Sequence, residues 1–396
     1  MQQLLKRCLA AGTAAILGFS TALSAAYAVE SAPNQPAVPD LAPNAKSAVL
    51  MDAATGTIFY EKNGNERLPP ASITKIMTMI LVMEALDQGK IRLDEKVRTS
   101  EYAASMGGSQ IFLEPGEEMT VEEMLKGVAL ASGNDASVAL AEKIAGSEEG
   151  FVQMMNAKAA QLGLKNTRFQ NTNGLPAAEH YSSALDIAVM SRELLKHEEI
   201  TKYTGLYQDY LRKDTEKPFW LVNTNKLVRF YPGADGLKTG YTSEAKFCLT
   251  ATAKRDHLRI IAVVMGEPDT KTRNAEVTKL FDYAFSQYES VPIFETGQTI
   301  GEVRVEKGKQ PVLQLAAKHP YSVVMKKGEG KDGLRHELEI LPLKAPVQHG
   351  QPIGKLKVYK DERLLIEFPI ESPAAVERAG WWTLFGRTVK KLILVD

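Results

Sequence analysis

The stretch Pro69-Pro70-Ala71-Ser72-Ile73-Thr74-Lys75 opens a long apolar run, and the rest of the chain is read outward from it. Two prolines stiffen the approach, and a serine stands where a helix would begin. Ile76, Met77, Met79, Ile80, Val82, Met83 and Leu86 continue that helix, and Gly89 stops it. Residues at i and i+3 share a helix face, so Lys75 lies one turn in from Ser72. A serine hydroxyl becomes a nucleophile beside a base, and a desolvated amine is such a base. The spacing alone assigns nothing, because Ser243 and Lys246 repeat it. Context separates the two copies. Ser243 sits in a polar turn, Thr242-Ser243-Glu244, whereas Ser72 opens an apolar helix.

The chain has 396 residues, more than one ordinary domain, and its 44% apolar and 24% charged content describes a globular protein with ample core. The formal net charge is zero, so nothing in the total points to nucleic acid. Residues 1–28 read as a signal peptide: Lys6 and Arg7, an apolar run from Leu9 to Leu23, then Ala26-Tyr27-Ala28 as a small-x-small cleavage site. Cys8 precedes the apolar run, so it is no lipid-anchor cysteine. With residues 1–28 removed, Cys248 remains alone and no intrachain disulfide can form. An exported chain without disulfides points to a bacterium. Residues 29–44, rich in Pro and Ala, read as a linker.

The order of elements implies an α+β fold. Ser47 to Tyr60 reads as a β-hairpin turning at Asp52 to Gly56. From Ser72 to about Lys196 the chain is mostly helical, including Val121 to Ala131, Ala136 to Ala145, Phe151 to Leu162 and Leu185 to Leu195. Strands return at Gly236 to Tyr241, Phe247 to Ala253 and Leu258 to Met265, and a helix follows from about Thr272 to Tyr288. The simplest packing joins the terminal strands in one sheet, lays the last helix on it, and sets the helical block beside it. Ser72 and the Gly236 strand should then meet at the seam. Residues 45–290 form this first domain, and 291–376 form a small all-β domain of short alternating runs separated by Gly, Pro and Lys-Asp turns.

Residues 377–396 read differently again. On a helical wheel Trp381, Trp382, Leu384, Phe385, Val389, Leu392 and Ile393 gather on one side, with Arg387, Lys390 and Lys391 opposite. Such a helix is roughly 22 Å long, short of the roughly 30 Å that a bilayer demands. An aromatic face backed by a basic one suits a helix lying in a membrane interface.

Two further short motifs occur once each: Ser132-Gly133-Asn134 after the second helix, and Lys238-Thr239-Gly240 in the strand after Gly233-Ala234-Asp235-Gly236. Alone, the first is a helix stop and the second an edge strand guarded by a charge. Together, in the order Ser-x-x-Lys, Ser-x-Asn, Lys-Thr-Gly, they are the set of penicillin-binding proteins and serine β-lactamases. Residues 45–290 resemble the catalytic domain of D-alanyl-D-alanine carboxypeptidases, the low-molecular-mass penicillin-binding proteins. Asn171-Thr172-Asn173-Gly174-Leu175 and His180-Tyr181-Ser182-Ser183-Ala184 match too. The β domain and basic tail also look like that family's, and the wording is nearest to its members in spore-forming Gram-positive bacteria.

The resemblance implies a β-lactamase/transpeptidase-like fold and a role for each residue. Ser72 attacks the terminal D-Ala-D-Ala bond of peptidoglycan stem peptides, and a neutral Lys75 takes its proton. The backbone N–H groups of Ser72 and Tyr241 form the oxyanion hole. Ser132 relays a proton to the departing D-alanine, and Asn134 holds the substrate amide. Lys238, Thr239 and Gly240 receive the terminal carboxylate, with Arg273 assisting. β-Lactams acylate the same serine. A β-lactamase is the alternative, but no Glu-x-x-Leu-Asn loop lies between Ser132 and Lys238. A sensor or wall-binding module that acylates once would carry the same motifs. No cofactor or metal is implied, since none of the six histidines forms a His-x-x-x-His or comparable pair. The implied place is the outer face of the cytoplasmic membrane, held by the C-terminal helix.

Overall fold

A computed structural model describes residues 39–393. The signal-peptide reading of 1–28 and most of the linker lie outside them. The end of the linker does not: Leu41 and Ala42 are buried against the sheet and the last large helix. Packing therefore begins about Asp40, earlier than the Pro- and Ala-rich composition suggested. Two apolar side chains among four residues are too few to register in a composition-based reading.

The centre is a five-stranded antiparallel sheet of β1 (Ser47–Asp52), β2 (Ile58–Lys62), β3 (Ala234–Thr242), β4 (Lys246–Arg255) and β5 (Leu258–Glu267). The strand order is β2-β1-β5-β4-β3. The first strand of the fold thus pairs with β5, with Leu50 opposite Ala262, and the two ends of the domain join as the sequence implied. Ala48 and Leu50 face one core and Val49 and Met51 the other, and Ile260 to Met265 alternate in the same way. Both faces are covered, which is why β5 reads as an unbroken apolar run.

On one face lies the helical block. Its principal members are α1 (Lys75–Asp87), α2 (Val121–Lys126), α3 (Asn134–Ala145), α4 (Glu148–Gln161) and α5 (Ala184–Leu194). On the other lies α6 (Thr270–Gln287), capped by the Asp269 carboxylate, which accepts from the Thr272 N–H at 2.8 Å. Its Val277, Leu280, Phe281 and Ala284 fill the second core.

Three local features were not foreseen. Ser72 does not start an α-helix: Ala71–Thr74 make one 3-10 turn, and α1 begins only at Lys75. The apolar run from Val121 leaves the α-helix after Lys126 as a wider turn, Gly127–Ala131, ending at Ser132 in the left-handed conformation with φ 63°. A small hairpin, Gln208–Leu211 with Phe219–Val222, stands before β3.

Beyond α6 the chain passes directly into the strand Tyr288–Phe294, which pairs with Tyr321–Lys326. This third core contains only residues from 291 to 376, among them Val303, Leu315, Val323, Leu356 and Phe368. Tyr288 stacks on Phe59 of β2 with ring centroids 4.2 Å apart, and Lys327 Nζ donates to the Phe285 carbonyl at 2.7 Å. The last helix, α7 (Trp381–Ile393), is tethered by Arg387, whose guanidinium donates to the Gly308 and Lys309 carbonyls at 2.7 Å each. Trp381, Trp382 and Phe385 stay exposed.

Phe281 is fully buried where α6 meets the sheet. Phe281→Ala should lower stability by about 3–5 kcal/mol, as read by denaturant unfolding of the full chain.

Candidate active site

A tight turn carries the reactive serine. Ala71, just before Ser72, has φ +47°, a conformation that costs a non-glycine residue free energy and persists only under outside constraint. The constraint is visible on two sides. A Cβ on Gly174 would stand 1.9 Å from the Ala71 carbonyl oxygen, so only glycine lets that loop lie against the turn. A Cβ on Gly240 would meet the Pro70 carbonyl oxygen at 2.8 Å, so the β3 backbone also needs glycine to come this close. β3 is an edge strand of the sheet. Tyr241, next after Gly240, therefore follows at the seam between sheet and turn, its ring exposed and packed on Phe247 at 4.4 Å.

The His180 segment holds the turn from behind. The Gln170 N–H donates to His180 Nδ1 at 3.0 Å, so Nε2 carries the hydrogen and donates to Thr74 Oγ1 at 2.8 Å. Burial pushes the His180 pKa down to about 4 and keeps the ring neutral. Leu68 and Ser182 exchange backbone hydrogen bonds of 2.8 and 3.0 Å just upstream.

Lys75 points from the first turn of α1 into this corner and is fully buried. Its Nζ lies 2.6 Å from Asn134 Oδ1, 2.7 Å from the Asn173 carbonyl and 3.0 Å from Ser72 Oγ. The first two partners can only accept. A neutral amine has two N–H donors and one lone pair, so both donors are used and the lone pair is left for the serine hydroxyl. The arrangement therefore fits the neutral amine acting as base. Burial above all, then the nearby charge of Lys238, pushes the Lys75 pKa well below its usual value, against the pull of Asp135.

The other motif residues gather around the same corner. Ser132 is nearly buried, and its Oγ has no hydrogen-bond partner among the described residues. Asn134 is occupied at both ends, since its Nδ2 donates to the Gly107 carbonyl at 2.6 Å. Its first task is thus to hold Lys75, which the expected role on the substrate amide did not include. Lys238 and Arg273 are 1% and 4% exposed. Burial first, then the Arg273 charge, brings the Lys238 pKa down to about 7. Thr239 Oγ1 donates to Thr224 Oγ1 at 2.7 Å. Lys75, Lys238 and Arg273 make a buried cluster of basic groups whose opposing charge a bound anion would supply. Among the described residues no His, Cys, Asp and Glu group could hold a metal ion.

Sequence reasoning missed three contributors. Asn173 acts through its backbone carbonyl, which no residue letter reveals. Thr224 comes from the unforeseen hairpin's exit. Asp135 ties down the loop before the site by accepting from the Ile111 and Leu113 N–H groups at 3.1 Å each. The Asn-Gly and His-Tyr-Ser segments were legible as motifs, and their positions now explain them.

A half-buried serine beside a buried lysine, set between a helical block and an edge of an antiparallel sheet, defines the penicillin-recognising serine acyl-transfer proteins. Comparison with known proteins makes this particular. Residues 31–269 match the profile of the D-alanyl-D-alanine carboxypeptidase family, and 288–378 match the penicillin-binding protein 5 C-terminal domain. The chain belongs to the D-alanyl-D-alanine carboxypeptidase family. It is 58% identical to D-alanyl-D-alanine carboxypeptidase DacF of Bacillus subtilis, over 88% of this chain and 90% of that protein, consistent with the expected spore-forming group. It resembles the crystal structure of penicillin-binding protein 5 from Haemophilus influenzae with a TM-score of 0.67 at 34% identity, covering 85% of this chain and 98% of that one. Ampicillin-bound penicillin-binding protein D2 from Listeria monocytogenes aligns with a TM-score of 0.54 at 30% identity, covering 62% of this chain and 100% of that one.

Protonation should govern the two sides of the pH profile differently. With Lys75 as the base that the sequence assigns, kcat should fall on the acid side as the amine gains a proton. With Lys238 as the carboxylate-binding group that the sequence assigns, KM should rise as pH passes about 7 and the free ammonium is lost. Steady-state kinetics of D-alanine release across pH will check both limbs.

Proposed function

We propose that this chain removes the terminal D-alanine from peptidoglycan stem peptides through an acyl-enzyme on Ser72. The observation that carries the reading is the Lys75 amine, fully buried and aimed at the Ser72 hydroxyl from 3.0 Å. Lys75 takes the hydroxyl proton as Ser72 attacks the penultimate D-alanine carbonyl. The backbone N–H groups of Ser72 and Tyr241 receive the developing oxyanion. The terminal carboxylate lies toward Lys238, Thr239, Gly240 and Arg273. Ser132, whose hydroxyl has no partner among the described residues, passes the proton to the leaving D-alanine. Asn134 holds Lys75 in place and, by exchanging a partner, takes the substrate amide. Water then releases the shortened peptide. A β-lactam enters by the same attack and leaves more slowly.

The enzyme acts outside the cytoplasm, as its family does. We read 1–28 as an export signal, 45–290 as the catalytic domain and 291–376 as a separate β domain. Residues 377–396 serve as a peripheral anchor on the outer face of the cytoplasmic membrane. The exposed Trp381, Trp382 and Phe385 support an interfacial position. None of the described helices is long and apolar enough to cross a membrane.

Ser72→Ala should abolish both D-alanine release and labelling by a fluorescent penicillin. Mass spectrometry of the intact protein should show one penicilloyl adduct on the wild type and none on the variant; an adduct elsewhere refutes the assignment. A chain ending before Trp381 should fail to co-sediment with anionic vesicles while hydrolysing soluble peptide at the unaltered rate. Co-sedimentation of the shortened chain would show that α7 is not the anchor.

A further inference from the structure

The two acceptors that hold the Lys75 amine belong to different segments, and one carboxylate joins those segments. Glu148 is the first residue of α4 and is 7% exposed. Its Oε1 accepts from the Thr172 N–H at 2.9 Å and from the Thr172 hydroxyl at 2.8 Å. Its Oε2 accepts from the Tyr102 hydroxyl at 2.6 Å. The start of a helix suits an acidic side chain, because the unpaired N–H groups there favour negative charge. Both oxygens are thus engaged, each on a different stretch of chain.

Each bond leads to one acceptor of Lys75. Thr172 precedes Asn173, whose carbonyl lies 2.7 Å from Lys75 Nζ. Thr78, one turn along α1 from Lys75, donates from Oγ1 to the Thr172 carbonyl at 2.6 Å. Thr172 is therefore tied on both sides of its own backbone, and both threonines are fully buried. On the other side, Tyr102 lies in a short helix, Glu101–Ala104, from which the chain runs on to Gly107. The Gly107 carbonyl accepts from Asn134 Nδ2 at 2.6 Å, and Asn134 Oδ1 faces Lys75 Nζ at 2.6 Å. Between the two segments the described hydrogen bonds include one other side-chain link, Asn173 Nδ2 to Met106 Sδ at 3.8 Å, and a thioether is a weak acceptor.

We propose that Glu148 is a positioning residue for Lys75: by bridging Thr172 and Tyr102 it fixes the Asn173 carbonyl and the Asn134 side chain relative to each other, and so aims the amine lone pair at Ser72. Glu148 has this role only if Lys75 is the base, as proposed above. Its described hydrogen bonds reach neither Lys75 nor Ser72, so it acts through the two acceptors. A cavity of about 320 Å³ borders Tyr102, Glu148 and Asn171, so water can reach the groups that Glu148→Ala would leave unpaired.

The test is kcat and KM for D-alanine release from a soluble D-Ala-D-Ala peptide, together with the rate of acylation by a fluorescent penicillin, all with the full chain. Glu148→Ala should lower kcat and the acylation rate about tenfold or more, as a small misplacement of reacting groups does. KM should change less than about twofold, because the lost interaction serves the transition state rather than binding. Glu148→Gln can still accept from Thr172 and can donate to the Tyr102 oxygen, so it should recover most of the loss. Tyr102→Phe and Thr172→Val each cut one link and should each lower kcat. Neither should deepen the loss in Glu148→Ala, since the three groups form one bridge. An unchanged kcat in Glu148→Ala, a loss carried mainly by KM, or losses that add in the double variants would overturn the proposal. Should Glu148→Ala not fold, Tyr102→Phe, which removes one hydroxyl from a residue 49% exposed, decides alone: a several-fold lower kcat supports the bridge and an unchanged kcat refutes it. Lys75→Ala tests the underlying reading separately. Its acylation rate should fall about 10²-fold or more, and an unchanged rate would remove Lys75 as the base whatever the Glu148 variants do.

Discussion

An amine that has lost its water governs this molecule. Lys75 is fully buried, and two fixed acceptors, Asn134 Oδ1 and the Asn173 carbonyl, take both hydrogens of its neutral form. Those acceptors come from the start of α3 and from the Asn-Gly loop, while the lysine belongs to α1 and its target to the turn before it. Three separate stretches must therefore be held in register. The packed helical block and the sheet covered on both faces supply that rigidity.

The same arrangement explains how one site carries several basic groups without paired carboxylates. Burial lowers the pKa of each lysine first, and the charge of a neighbour, Lys238 on Lys75 and Arg273 on Lys238, lowers it further, which brings Lys238 near neutrality. Asp135, the nearest acid to Lys75 in electrostatic effect, is engaged by the N–H groups of Ile111 and Leu113. An incoming carboxylate then supplies the opposite charge that the protein withholds. On the proposed reading, binding and activation are two consequences of one electrostatic deficit.

Much of this was legible in the sequence, for physical reasons. An unbroken apolar run located α1, which is buried nearly all round, and apolar periodicity located α6, which buries one side against the sheet. The pairing of the first strand with β5 followed from strands at both ends of a helical insertion. Ser72, Lys75, Ser132 and Lys238 could be named because each belongs to a motif written in side-chain letters, and the structure brings those motifs to one corner. What stayed hidden was work done by backbone and by tertiary context. The Asn173 carbonyl, the strained φ of Ala71 and the widened turn at Gly127–Ala131 have no signature in residue type. The hairpin at Gln208–Leu211 and Phe219–Val222 was passed over because its outward Tyr210 and Trp220 blur the alternation.

The contact at Gly174 has an evolutionary corollary. Since any side chain there would collide with the carbonyl that precedes the nucleophile, this wall of the cleft offers no room for mutational drift. A bacterium under antibiotic selection could not reshape that wall to exclude the drug without also displacing the serine that its own wall peptide needs. Escape would have to arise on the more permissive rim, or in another protein altogether.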